Sequence, residues 1–363
     1  MQFQGLVFSL TQRIKILEFQ EALGIDVCQA GYPSAHPMEA DIVSKVAAHA
    51  KKNNFCVRTA ALGRAFAPDA DILCKTDIDD IHFHLQVKNT ITKELQARLF
   101  QDIETLIGLV RNRRPEAAIS IAMLDIGKTD RGLLTTWVHL LGQDLGIDIL
   151  SLPDTSGIMA PNQIHDKILA LSALPLKAKL SVHCHNDRGM ASANSIMGII
   201  AGACVLEVSA LGIGERNGIG DLFTTAKLLQ TQGMTLGVDT DNIPLFKKYY
   251  EYLDAIVREQ TGAGLIQYNT PVFGAAVKTH VAGTHALEKF GIMAEETFYL
   301  NLLCGQTLVQ KYLKHKNISH DKKKLQQITA AIKTKSITLE RRLTRNEIEA
   351  ICPLCSLNDN IRP

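Results

Sequence analysis

Seven apolar runs rich in β-branched residues recur at nearly regular intervals along this 363-residue chain, and they constrain its fold more than any other feature. Amphipathic helical patterns such as Leu10–Leu23 and Lys93–Arg111 lie between them. Strands that alternate with helices predict parallel βαβ units. The runs are Ile25–Ala30, Phe55–Leu62, Asp80–Val87, Ala117–Leu124, Ile147–Pro153, Lys177–Cys184 and Val205–Leu211.

The number and order of the runs predict an α/β fold, a (β/α)8 TIM barrel whose first strand is missing. A barrel has eight strands and begins with one, whereas this chain shows seven and begins with a helix after Met1–Phe8. We therefore expect the first strand to precede Met1 in the natural protein. After Gly237 the pattern becomes helical and rich in Lys and Gln. We predict a catalytic barrel over residues 1–237 and a mostly helical C-terminal lid subdomain over residues 238–363.

Composition and charge exclude several classes of partner. The net charge is only +2, so nothing indicates binding to nucleic acid or to a membrane surface. The chain has no run of about 18 apolar residues and no basic N-terminal region followed by an apolar stretch. The sequence therefore predicts a cytoplasmic protein.

The sharpest chemical signal is the segment Ser181–Asp187, which reads SVHCHND and closes one predicted strand. Residues i and i+2 of a strand face the same side, so His183 and His185 should project together. They lie at the carboxyl end of their strand, where barrel enzymes place their active sites. Two neutral imidazoles side by side suit a divalent cation. The position at a strand end, followed by turn residues, favours a metal site over a chance pair.

Two other predicted strands are followed by segments that could contribute to the same rim. The Gly-flanked loop of Leu211–Ile219 carries Glu215, Arg216 and Asn217, and its alternative interpretation is a charged surface loop. Thr155 follows another strand in the sequence PDTSG. It and the aspartate before it could bind substrate or cap the next helix, and the sequence does not separate these roles.

These motifs, in the order AGYP, DTSG, HCHND and GIGERNG, resemble the metal-dependent TIM-barrel family of 2-isopropylmalate synthase, homocitrate synthase and hydroxymethylglutaryl-CoA lyase. The similarity runs from Gln2 to about residue 350. Beyond the barrel, Pro271–Gly274 and Thr279–His285 are similar to the PxxG and THxAGxH segments of the synthases, which the lyases lack. The resemblance therefore favours a synthase.

The resemblance implies a reaction and a set of site residues. A divalent cation (Mg, Mn or Zn) would hold a 2-oxo acid as a Lewis acid. Acetyl-CoA would lose a methyl proton, its enolate would attack the oxo carbon, and hydrolysis would release CoA. The protein would be a homodimer whose C-terminal appendage reaches the partner's site. The implied residues are His183, His185 and Asn217 for the metal, Thr155, Arg216 and His82 for the substrate, and Glu215 and His285 for catalysis.

Some family positions are altered. The synthases open with D-x-x-x-R-[DE]-G-x-Q, and Met1-Gln2 falls on its last two positions, so we expect Met1 to be an internal methionine of the natural protein, or this form to be impaired. The family segment E-F-S-x-E-D-x-x-R-T-D reads Ser120–Asp130, with both glutamates absent and the arginine replaced by Lys128. The motif GERNGI is similar to homocitrate synthases. It replaces an asparagine near the metal by Ile219, for which Asn217 is a possible substitute.

The first hypothesis is an acyltransferase similar to 2-isopropylmalate synthase, with a role in amino-acid biosynthesis such as that of leucine. An enzyme similar to homocitrate synthase is the second. The third, from another class, is a catalytically impaired homologue that serves as a binding or structural protein. The altered acidic segment supports this third hypothesis.

Overall fold

The first compact unit of the protein is built on one parallel sheet. The computed structural model describes residues 6–280 and 297–357, and the chain divides into the units Met1–Leu265 and Ile266–Pro363. The sheet has seven strands whose spatial order follows the chain, which confirms the predicted α/β barrel class. Its strands are β1 (Val27–Gly31), β2 (Arg58–Arg64), β3 (Asp80–Leu85), β4 (Ala118–Met123), β5 (Ile149–Asp154), β6 (Lys179–Cys184) and β7 (Val205–Glu207).

Helices precede the first strand, connect successive strands and follow the last strand of the sheet. Within the described residues β1 and β7 are the two edges of the sheet. The seven strands therefore correspond to a (β/α)8 barrel without one of its eight strands. The helices are α1 (Leu10–Ala22), α2 (Pro37–Lys52), α3 (Ala67–Leu73), α4 (Lys93–Arg113), α5 (Arg131–His139), α6 (Pro161–Ser172), α7 (Ala191–Ile200), α8 (Leu222–Thr231) and α9 (Ile243–Thr261).

Local capping signals fix the ends of these helices. Ser9 accepts a hydrogen bond from the backbone of Gln12, whose side chain accepts one from the backbone of Ser9, so α1 begins with a capping box. Gly262 has a φ of 81° and ends α9, because glycine adopts the left-handed conformation without the Cβ penalty. In the described part of the chain no helix is long and apolar enough to cross a membrane.

Strand β3 carries apolar residues on one face and polar residues on the other. In β3, Ile81 and Phe83 are fully buried and belong to the main core cluster, while His82 and His84 alternate with them. Because successive side chains point to opposite faces, the apolar side chains of β3 pack in the core and its two histidines face the barrel interior.

The C-terminal unit is mostly helical, as predicted. Its helices are α10 (Gln306–His315), α11 (Lys322–Thr338) and α12 (Arg345–Leu357), and β8 (Thr279–His280) pairs with β9 (Thr297–Phe298) in parallel. A separate core cluster includes Leu308, Ile328 and Ile348. The division after Leu265 lies one helix beyond the boundary expected at residue 237, because α9 packs against α1 through stacked Phe19 and Tyr249 rings with centroids 5.2 Å apart.

Candidate active site

Two imidazoles meet at the carboxyl end of β6. The rings of His183 and His185 have centroids 5.1 Å apart. His185 is buried, and its Nδ1 has no hydrogen-bond partner among the described residues. Burial, with the nearby charges of His183 and Arg216, lowers the pKa of His185 to about 4. His185 therefore has a ring nitrogen without a hydrogen-bond partner in the described structure, and this nitrogen is available to bind a cation.

Glu207 at the end of β7 orients the first of these imidazoles. The register places Glu207 beside His183, and its Oε2 lies 3.0 Å from the His183 Nδ1. Its Oε1 accepts a hydrogen bond of 2.6 Å from the Ser181 hydroxyl. Burial opposes ionisation of Glu207, but the hydrogen bond from His183 and the charges of His183 and His82 hold the pKa of the carboxyl below its usual range. The carboxylate thus fixes the ring through Nδ1 and leaves the Nε2 of His183 without a hydrogen-bond partner among the described residues.

This arrangement fits part of a divalent-metal site. Metal-ligating histidines usually donate their other ring N–H to a carboxylate or carbonyl, as His183 does to Glu207. The Nδ1 of buried His185, which has no hydrogen-bond partner among the described residues, is a second nitrogen that could bind the cation, beside the ring of His183. Within residues 6–280 and 297–357 no group of three His, Cys, Asp or Glu side chains is arranged to hold a cation. The two imidazoles therefore supply only part of a coordination shell.

We expect Glu207→Gln to weaken divalent-metal binding by about 10- to 100-fold, the usual cost of losing an outer-shell partner. The amide keeps the size of the side chain but cannot hold His183 with a negative charge. Calorimetric titration with Zn²⁺ or Mn²⁺ measures the effect. Ser181→Ala is the matched control, because it removes the other hydrogen bond to Glu207 and leaves the His183 contact intact. Equal affinity for the wild type and Glu207→Gln would contradict the orienting role.

His82 on β3 joins the same interior. Its Nδ1 lies 2.6 Å from the Ser120 hydroxyl on β4. Burial lowers its pKa, the charge of Glu207 opposes that shift and the charge of His183 adds to it. His82 therefore lies within electrostatic range of the β6–β7 cluster, although two strands, β4 and β5, lie between its own strand and β6 in the sheet.

Arg216 connects the loops that follow β5, β6 and β7 through hydrogen bonds. Its guanidinium donates to both carboxylate oxygens of Asp187 at 2.8 Å and to the Thr155 carbonyl at 2.5 Å. The bidentate bond lowers the pKa of Asp187 and raises that of Arg216. The Thr155 hydroxyl in turn accepts a hydrogen bond of 2.9 Å from the Asp125 backbone. Arg216 and Thr155, both predicted to bind substrate, therefore also hold the rim of the barrel in shape.

The sequence leaves two roles open for Asp154, capping of the next helix or contact with substrate. Asp154 is fully buried and accepts hydrogen bonds from the backbones of Ile158 and Met159 at 3.3 and 2.9 Å. Both partners lie ahead of α6 rather than within its first turn. Asp154 therefore stabilises the β5–α6 loop, and neither caps the helix nor faces the site as a free carboxylate.

Close backbone contacts dock the GIGERNG loop against the HCHND segment. The Asn186 N–H donates to the Gly218 carbonyl at 2.9 Å, and His185 and Ile219 form an antiparallel bridge. Gly218 has a φ of 84°, and a Cβ there would lie 1.9 Å from the Gly212 oxygen. Only glycine fits this position.

Three predicted site residues are either exposed or outside the described part of the chain. Glu215 is exposed, and its nearest cation is Arg216 at 4.0 Å. Asn217 is exposed and makes no side-chain hydrogen bond within the described part of the chain. His285 lies outside the described residues. Their roles stay predictions.

The sequence interpretation overlooked Glu207 and His84. Glu207 is an acidic residue inside an apolar strand run, which is itself a signal of a functional carboxylate. His84 follows His82 at the same i, i+2 spacing that identified His183 and His185. The same rule applied to β3 would have found it.

Comparison with known proteins identifies the family of this chain. A family model described as HMGL-like matches residues 1–248. The chain belongs to the HMGL-like family.

Curated relatives of this HMGL-like chain are synthases. It is 31% identical over 294 residues to a 2-isopropylmalate synthase of Sulfurisphaera tokodaii, covering 78% of this chain and 71% of that protein. It is 27% identical over 351 residues to a probable 2-isopropylmalate synthase of Methanosarcina acetivorans, covering 92% and 65%. It is 31% identical to the Vibrio parahaemolyticus enzyme, covering 78% and 55%. The chain thus spans between about half and three quarters of these relatives.

Solved structures of hydroxymethylglutaryl-CoA lyases share the fold. The Pseudomonas aeruginosa lyase has a TM-score of 0.57 at 17% identity, covering 70% of this chain and 89% of that one. The Brucella melitensis lyase has a TM-score of 0.56 at 19% identity, covering 70% and 93%. These similarities support the barrel architecture of the HMGL-like chain.

Proposed function

We propose that this chain is an acyltransferase that condenses acetyl-CoA with a 2-oxo acid to give a 2-hydroxy diacid, as 2-isopropylmalate synthase does. The observation that carries the proposal is the His183–His185 pair with its Glu207 partner, in a chain 31% identical to a 2-isopropylmalate synthase. The motif GERNGI favours a second candidate, a 2-oxo diacid substrate of the homocitrate synthase kind.

Different residues of the chain would have different roles in the reaction. His183 and His185 would hold a divalent cation, and Glu207 holds the His183 ring in place. When bound, the ion would polarise the oxo group of the substrate as a Lewis acid. His82, fixed by Ser120, faces the interior where the oxo acid would bind. Arg216 and Thr155 would shape the rim around the substrate carboxylate.

The proposal extends to the assembly. The resemblance to the synthases implies a homodimer in which His285 reaches the partner subunit's barrel. Acetyl-CoA and a 2-oxo acid would be the substrates.

Free-thiol release from acetyl-CoA tests the proposed function directly. The protein, supplied with Mg²⁺, Mn²⁺ or Zn²⁺, is assayed with a panel of branched 2-oxo acids and 2-oxo diacids. We expect CoA release that depends on both the metal and one class of oxo acid, and mass spectrometry should show the 2-hydroxy diacid product. Release with a diacid alone would identify the second candidate. No release with any oxo acid, from protein shown to be folded and metal-loaded, would support a binding or structural homologue instead.

A further inference from the structure

The histidines of β3 (the β3 pair, His82 and His84) repeat the arrangement of those at the end of β6 (the β6 pair, His183 and His185). The members of each pair are two residues apart and therefore project from the same face of their strand. The ring centroids are 5.4 Å apart in the β3 pair and 5.1 Å apart in the β6 pair. Two imidazoles that bind one Zn²⁺ tetrahedrally, through nitrogens at about 2.0–2.1 Å, have ring centroids about 5 Å apart. Both pairs thus have the ring spacing of a cation chelate.

In each pair, a residue on the next strand of the sheet holds the first ring through its Nδ1. Ser120 lies beside His82 in register, and its hydroxyl is 2.6 Å from the Nδ1 of that ring. Glu207 lies beside His183, and its carboxylate is 3.0 Å from the Nδ1 of that ring. A histidine that binds a metal through one nitrogen usually donates its other N–H to such a partner. In both pairs the first ring is therefore oriented, and its Nε2 has no partner among the described residues.

The second ring of the β3 pair has no polar partner. His84 is half-buried, and its ring makes no hydrogen bond or ion pair within the described part of the chain. In register it lies between Arg64 on β2 and Ala122 on β4. Ala122 carries only a methyl group, and the Arg64 guanidinium is bound to both oxygens of the buried Asp69 carboxylate, at 2.8 and 3.1 Å. The ring nitrogens of His84 are therefore available to a ligand, as the Nδ1 of His185 is.

The charges around the β3 pair suit a cation. Burial lowers the pKa of His84 to about 4, the charges of His82 and His183 add to this shift, and the charge of Glu207 opposes it. Burial is also the main cause that lowers the pKa of His82. Both rings are therefore neutral at pH 7, the form in which imidazole binds metals. The carboxylate of Glu207 acts on both rings, and its negative charge would attract a cation bound between them.

We propose that His82 and His84 bind a second divalent cation, more weakly than the β6 pair binds the first. Imidazole ligands favour Zn²⁺, Ni²⁺ or Cu²⁺ over Mg²⁺. The second site is the weaker one because the neutral Ser120 hydroxyl takes the place that the Glu207 carboxylate has in the β6 pair. The described residues add no third His, Cys, Asp or Glu ligand to either pair, so the remaining positions of the ion would be open to water or to an anionic ligand. The inference does not rest on the condensation reaction, because metal binding is measured without substrate.

Calorimetric titration of the full chain with Zn²⁺ tests the second site. Stoichiometries are compared as differences from the wild type, so that surface groups that also bind Zn²⁺ cancel. We expect His82→Ala and His84→Ala each to lose one equivalent, the weaker one, and to keep the tighter one. His183→Ala should lose the tighter equivalent, and the double variant His84→Ala/His183→Ala should lose both. His165→Ala on α6 is the matched control and should keep the wild-type stoichiometry.

A spectroscopic readout keeps the test independent of how well the β3 variants fold. Cu²⁺ added to His183→Ala should give an electron paramagnetic resonance spectrum split by imidazole nitrogens, and this splitting should be absent from the double variant His84→Ala/His183→Ala.

The outcomes separate this inference from the proposed function. If folded His82→Ala and His84→Ala bind as many equivalents as the wild type, or if the double variant loses no more than His183→Ala alone, the β3 pair holds no ion of its own and the inference is wrong. A wild type that releases CoA but binds no second equivalent would likewise overturn it and leave the proposed function standing. A wild type that binds the second equivalent but releases no CoA with any oxo acid would support the second site and overturn the proposed function.

Discussion

His183→Ala abolishes tight divalent-metal binding and any CoA-releasing activity: that is the expected result, and His185→Ala should behave in the same way. The two imidazoles are adjacent, and the described residues contain no set of three carboxylate, thiolate or imidazole ligands that could replace them. Losing the carboxylate behind a ligand costs 10- to 100-fold in affinity. Losing the ligand itself should therefore cost more than about 100-fold.

Metal content after dialysis, measured by mass spectrometry, and calorimetric affinity together check this expectation. His165→Ala is the control, because it removes an imidazole from α6 and leaves the site intact. The thermal midpoint of each apo variant should match that of the apo wild type within a few degrees, which separates metal loss from misfolding. Full metal content and turnover in either site variant would show that the cation is held elsewhere.

Gly218→Ala should destabilise the protein by about 2–5 kcal/mol and remove activity. Its Cβ would lie 1.9 Å from the Gly212 oxygen, and overpacking of this kind costs roughly 1–3 kcal/mol. The left-handed φ of 84° adds roughly 1–2 kcal/mol for a residue with a Cβ. The loop must move to relieve the contact. That movement breaks the Asn186 to Gly218 hydrogen bond and shifts Arg216 from its partners.

Gly233 provides a matched control for the Gly218 substitution. It has the same φ of 84°, and a Cβ there would meet nothing within 4 Å. Gly233→Ala should therefore cost only the backbone contribution, about 1–2 kcal/mol, and keep full activity. Urea denaturation of the two variants and the wild type isolates the contact with Gly212. Equal midpoints for Gly218→Ala and Gly233→Ala would show that the loop can relax without loss.

The fold was predictable because its periodicity is local. All seven strands expected from apolar runs exist, with ends that shift by a few residues. The largest difference is at β7, which ends at Glu207 instead of Leu211. Leu211 has a φ of 57°, and this left-handed turn starts the GIGERNG loop. Glycine-rich sequence signals a turn but does not say which residue begins it.

The site was predictable only in part. The i, i+2 spacing of His183 and His185 is a property of one strand, so the sequence contained it. The Glu207 contact depends on the register of β6 against β7, since the partner lies 24 residues away along the chain. Pairing across strands is decided by packing of the whole sheet, which no local pattern reveals.

By itself, the sequence determined the alternation of strands and helices and the imidazole pair, because each follows from side-chain spacing along the chain. Only the tertiary structure decided that Arg216 bonds Asp187 and the Thr155 carbonyl, which lies 61 residues away. It alone showed that Asp69 holds Arg64 while the ring of His84 has no partner among the described residues. In each case, several charged or polar groups could bond the same neighbour, and only one arrangement forms. The outcome depends on distances that exist only once the strands of the barrel are packed side by side.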